Sequence, residues 1–149
     1  MSVLSGSCTA EVKASIDRCW ALVEDVARAP EWQRTLVSLD VIERDDRGRP
    51  LICETVNDAH LTKISTRIRM QYEPPRRLSW SQVGGDDLDS MEGSWELEDL
   101  GERGTRATYK LAVDPGRIGL FARPIERLIR PLVIGHQAEE LAAALGEPV

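Results

Sequence analysis

The sequence predicts one α+β domain in which a curved antiparallel sheet packs against a long C-terminal helix. Three observations lead there. Short runs in which apolar and polar residues alternate follow one another through the middle of the chain, as half-buried strands do. The turn signals "DDRGRP", "GGDD" and "GERG" separate these runs, which implies hairpins and hence antiparallel pairing. After "DPGRIG" the apolar spacing becomes helical and stays so to Leu145. The length of 149 residues suits a single domain, and such a chain buries roughly 70% of its unfolded surface without a disulfide or metal staple.

The elements are justified in order. "SCTAEV" is a short strand. Ser15 is placed to cap a helix, with Asp17 favourable in its first turn. Ile16, Cys19, Trp20, Val23 and Val26 or Ala27 form its apolar face, and Pro30 stops any continuation. Trp32 follows in "DVARAPEWQ", in a loop. A ring that large is expected to fold inward, over a cavity mouth or against the helix that carries Trp20.

Val37, Leu39 and Val41 then alternate with polar residues, and "LICETV" returns after a turn. Next, Ile64, Thr66, Ile68, Met70 and Tyr72 fall on one face, with Lys63, Ser65, Arg67, Arg69 and Gln71 on the other. Pro74-Pro75 breaks that strand and "RLSWSQV" resumes. Met91, Gly93, Trp95 and Leu97 face one side, as do Thr105, Ala107, Tyr109, Leu111 and Val113 after the "GERG" turn. The last apolar stripe runs through Phe121, Ile125, Leu128, Ile129, Leu132, Val133, Leu141 and Leu145; Pro131 is expected to kink or divide this helix. About six strands follow from this reading.

A sheet of that size twists and curves. One helix across its concave face leaves a cavity, apolar with a few polar groups. The lining expected from the sheet is Leu39, Ile68, Met70, Trp80, Met91, Trp95, Tyr109 and Leu111. The helix is expected to add Phe121, Ile125, Leu128, Ile129 and Leu132, with Trp32 at the mouth. The expected partner is a hydrophobic small molecule.

Other chemistries find little support. A net charge of −6 argues against nucleic acid. The cysteines Cys8, Cys19 and Cys53 have no C-x-x-C spacing and read as free, buried thiols. No group of ligands has metal spacing, so neither metal nor cofactor is expected. The two histidines, His60 and His136, support no Ser/His/Asp triad, and His136 reads as a helix-surface residue. Arg123, Arg127 and Arg130 form a basic stripe that reads as a solvated helix face. No secretory signal or membrane-spanning run is found, so a cytoplasmic protein without an integral membrane segment is expected.

The order "A-x-x-x-x-x-W-x-L-V-x-D-V-x-x-x-P-E-W", Ala14 to Trp32, resembles the opening of the START-like (SRPBCC) polyketide cyclase/dehydrase family. "YEPPRRLSWSQVGGD", Tyr72 to Asp86, and "EGSWELEDLGERGTRATYKLAVDPG", Glu92 to Gly116, resemble its middle and late parts. The resemblance implies a helix-grip fold, with about seven strands wrapped around a long C-terminal helix. It implies a polyketide-, lipid- or quinone-like ligand, held by a monomer or weak homodimer. Alternatives are an aromatase/cyclase or dehydratase, a carrier, or a protein-interaction module. Cyclases of the family place an arginine and a hydroxyl in the cavity, where a fixed positive donor holds developing negative charge. The candidates are Arg69 and Tyr109. Alternation puts Arg67 and Arg69 opposite Ile64, Ile68 and Met70, on a solvated face, unless a bulge reverses the parity.

Overall fold

The computed structural model describes residues 4–58, 63–115 and 136–146. Its strands are β1 (Leu4–Val12), β2 (Leu36–Arg44), β3 (Pro50–Asp58), β4 (Lys63–Glu73), β5 (Arg77–Gly84), β6 (Ser90–Asp99) and β7 (Thr105–Asp114). They form one seven-stranded antiparallel sheet in the order β1-β7-β6-β5-β4-β3-β2. The chain thus meanders by hairpins from β2 to β7, and β1 closes beside β7. The sheet is curved. Helix α1 (Ile16–Glu24) packs on β6, and helix α2 (Gln137–Ala144) packs on β1 and β7.

Helix α1 starts as its cap predicts. The Ser15 hydroxyl accepts from the Arg18 amide at 3.2 Å, and Cys19, Trp20 and Val23 are buried. Its end comes earlier than Pro30. Asp25 leaves the helical region (φ −79°, ψ 66°), and a 3-10 turn over Val26–Glu31 contains the proline. The reason is packing: a three-residue period puts Val26 and Ala29 on the same side, and both are buried, while Ala27 is exposed.

Strand β4 shows the alternation in full. Ile64, Thr66, Ile68 and Met70 are buried; Lys63, Ser65, Arg67, Arg69 and Gln71 are exposed. Thr66 meets Thr55 of β3, and their hydroxyls share a buried 3.1 Å hydrogen bond. The outer face carries cross-strand ion pairs, Arg67 with Glu54 and Lys110 with Glu96 at 3.1 Å, which are exposed and so contribute little stability. The prolines at 74 and 75, joined by a cis bond, fall in the turn between β4 and β5.

Strand β2 departs from simple alternation. Its register with β3 shifts between Leu36 and Ser38 and again after Val41. The first shift turns Leu36 inward and leaves Val37 46% exposed, so Val37 does not share a face with Leu39.

The hairpin between β6 and β7 ends at Gly104 (φ 105°), and the Thr105 hydroxyl donates to the Ala14 carbonyl at 2.8 Å. That bond ties the exit of β1 to the start of β7. Of the predicted C-terminal stripe, the described part is α2, with Leu141 fully buried and Gly146 (φ 75°) ending it. His136 stands at the N-cap position, exposed, 3.3 Å from Glu139. Phe121, Arg123, Ile125, Arg127, Leu128, Ile129, Arg130, Pro131, Leu132 and Val133, with His60, lie outside the described residues. Among the described residues no helix is long and apolar enough to cross a membrane.

Candidate functional site

The concave face of the sheet and the segment from α1 to β2 enclose an apolar cavity. From the sheet it is bordered by Leu39, Ile68, Met70, Trp80, Met91, Trp95, Tyr109 and Leu111, among others. The described walls continue through Val23, Val26 and Ala29 below, and through Gln33, Thr35, Leu36 and Asn57 at one end. The helical pattern marks Val23 and Val26, but no pattern singles out the others. Loop residues have no period, and Leu36 is hidden by the β2 bulge.

The free volume is about 80 Å³. That is room for a few waters, against roughly 300–1,000 Å³ for a site that encloses a drug-sized ligand. Aromatic rings make up part of the wall. Trp32, Trp95, Tyr109 and Trp80 form a continuous row, with centroids 5.7, 5.0 and 5.8 Å apart in that order. Such tilted contacts are favourable beyond their buried area. Trp32 itself does not border the cavity. It leans on Trp95, half-buried, as a plug behind the wall, and its indole N–H is buried without a hydrogen-bond partner among the described residues.

Gly93 lets the row cross the sheet. It faces Trp80 on β5 and Leu111 on β7 in the register. A Cβ at Gly93 would lie 2.5–2.7 Å from the Trp80 indole. The ring therefore lies over the glycine and reaches Tyr109 on the strand beyond.

Burial raises three titratable groups, of which Tyr109 borders the cavity while Tyr72 and Cys53 do not. Burial, aided by the neighbouring Cys8 and Glu140, raises the Tyr109 phenol well above its ordinary range. Burial likewise raises Tyr72, whose hydroxyl donates to the Pro50 carbonyl and whose ring lies 4.3 Å from the Arg49 guanidinium. Burial pushes the Cys53 thiol up to about 11, in keeping with its place in the packed core. Arg69 stays on the exposed outer face beside Gln71, as alternation places it, and does not border the cavity; the register shift against β5 between Arg67 and Ile68 does not turn it inward. Arg67 pairs with Glu54 on the same outer face. Among the described residues no group of His, Cys, Asp and Glu could hold a metal ion.

Residues 12–135 match the family model for polyketide cyclase / dehydrase and lipid transport. No curated protein matches the chain in sequence. Similar solved structures include a START superfamily protein from Mycobacterium smegmatis (TM-score 0.78, 17% identity, 97% of each chain). The Zhui aromatase/cyclase from a Streptomyces species is as similar (TM-score 0.78, 16% identity, 97% of this chain and 94% of that one). A protein from Thermus thermophilus follows (TM-score 0.72, 20% identity, 95% of this chain and 93% of that one). At these identities the structures establish a shared fold, and the family match spans most of the chain. The seven antiparallel strands and C-terminal helix are a START-like fold, and the match over most of the chain means that it belongs to the polyketide cyclase / dehydrase and lipid transport family.

Proposed function

We propose that the chain binds a hydrophobic small molecule, polyketide-, lipid- or quinone-like, between its sheet and its helices. The observation that carries this reading is the apolar cavity, walled by Ile68, Met70, Met91 and Leu111 and by three of the aromatic rings. A ligand larger than the free 80 Å³ enters by displacing side chains. Met70 and Met91, flexible and polarizable, can repack around it. The neutral fluorophore N-phenyl-1-naphthylamine tests the reading. It is expected to bind saturably, with emission excited by transfer from Trp80 and Trp95. Leu39→Trp, which adds bulk where an edge strand can give, is expected to weaken binding about tenfold, or roughly 1.4 kcal/mol. Absence of saturable binding to the folded protein would sink the proposal.

A catalytic reading rests on Tyr109. A phenol that stays protonated inside the cavity can donate to the keto oxygen of a poly-keto chain and stabilise enolate character there. This requires that Tyr109→Phe still bind the fluorophore but lose at least about tenfold in cyclisation rate, roughly 1.4 kcal/mol of barrier. Unchanged turnover removes Tyr109 from any mechanism.

A further inference from the structure

The polar side chains of the cavity are gathered at one end of it. Gln33 and Thr35 precede β2, and Asn57 lies near the end of β3. Asn57 pairs with Leu36 across the ladder, the Asp58 amide donates to the Thr35 carbonyl at 2.8 Å, and the Leu36 amide donates to the Gln33 carbonyl at 3.2 Å. The backbone between them is pinned from the far end of the chain. Glu140 of α2 accepts from the Arg34 amide at 3.0 Å. The loop is thus held by its own turn, by β3 and by α2.

The side chains it presents are not used in that holding. Gln33, Thr35 and Asn57 are half-buried and border the cavity, and their side chains hydrogen-bond with no other described residue. Elsewhere the lining is apolar, apart from Thr55, whose hydroxyl is taken by Thr66, and Tyr109. Half-buried carboxamides and a hydroxyl that border an apolar space and are open to water are groups that a ligand can bond in place of water.

We propose that Gln33, Thr35 and Asn57 form a polar rim selecting a ligand with an uncharged head that both donates and accepts hydrogen bonds, a hydroxyl or an amide. The inference rests on the ligand-binding reading above. Carboxamides offer a donor and an acceptor side by side, and the threonine hydroxyl offers both. None of the three carries a charge to balance an ionised head, and a charge taken from water without a partner is costly. The nearest described ion pair to the rim, Arg34 with Glu140, lies outside the lining residues. That carboxylate is already engaged by the Arg34 amide and lies 3.9 Å from its guanidinium, which leaves it a poor counter-ion for an ammonium head.

Ligands sharing one ring body separate head from body. Calorimetric titration at pH 7 would compare 2-naphthol, naphthalene, 2-naphthoate and 2-naphthylmethylammonium. Naphthol is expected to bind tightest, about two- to tenfold tighter than naphthalene, the range of one or two net hydrogen bonds. Both ions are expected to bind at least about tenfold more weakly than naphthol. Gln33→Leu and, separately, Asn57→Leu are expected to bring naphthol down towards naphthalene. Naphthalene binding that stays saturable in each variant shows that its cavity still accepts the ring body. Tightest binding of either ion, or a naphthol preference that survives both substitutions, overturns the proposal while leaving the cavity reading standing. Failure of all four to bind the folded protein overturns both.

Discussion

Gly104→Ala is expected to destabilise the fold by about 3–5 kcal/mol, the sum of backbone strain and overpacking. Gly104 has φ 105°, a conformation that side chains rarely adopt. A Cβ there would also sit 2.1 Å from the Val12 carbonyl oxygen and 3.1 Å from the Lys13 Cα. Both are backbone atoms, so no rotamer change relieves the overlap. Val12 must move, and with it the place where β1 pairs with β7 and hands the chain to α1. At this chain length the loss lowers Tm by about 10 °C or more. Gly101→Ala is the control. Its φ is also positive, at 66°, but nothing lies within 4 Å, so only the left-handed penalty of about 1 kcal/mol applies. Urea denaturation of the two variants checks the ranking. Equal losses would refute the steric account.

Gly93→Ala is expected to change sign with its background. In the native chain the added methyl overlaps the Trp80 indole, forces it off Gly93 and breaks its contact with Tyr109. Overpacking of this kind costs about 1–3 kcal/mol. In a Trp80→Ala background the obstacle is gone. There alanine is expected to stabilise the strand by about 0.5–1 kcal/mol over glycine, because glycine loses more backbone freedom on folding. The coupling between the two sites should therefore exceed about 1 kcal/mol in a double-mutant cycle. A red shift of tryptophan emission in Gly93→Ala alone would report the ring leaving its cover. Additive effects would show that the ring and the glycine are independent.

Much of the architecture is legible before any coordinates. The alternation in β4, β6 and β7 assigns the inner face residue by residue, because a side-chain period of two cannot be slipped without burying charge. Ser15 marks the start of α1. Four things are not legible. The 3-10 turn holds Pro30 within it, because proline fixes one backbone angle but does not choose between helix types. The bulge at Leu36 reverses Val37, because bulges leave no compositional mark in that run. The site's aromatic row depends on Trp80 facing Gly93, which is a matter of register between hairpin strands and not of either strand alone. The rim residues Gln33 and Thr35 sit in a loop, where a polar side chain is the default and carries no signal. Resemblance suggests an arginine in the cavity, whereas alternation points Arg69 outward, and the outward placement holds.

The shared hydrogen bond of Thr55 and Thr66 bears on how the sheet finds its alignment. Aliphatic neighbours tolerate sliding, since one buried methyl group serves much like another. Two hydroxyls sealed in the interior do not: each satisfies the other only when β3 and β4 meet in a single way. A slip by one residue would turn Glu54 or Arg67 inward, and a slip by two would set Thr55 against Ile64 or Ile68 and leave its hydroxyl among carbon atoms, at about 1–3 kcal/mol. The pair acts as a checkpoint on assembly, rejecting misaligned hairpins that burial of oily surface alone would accept.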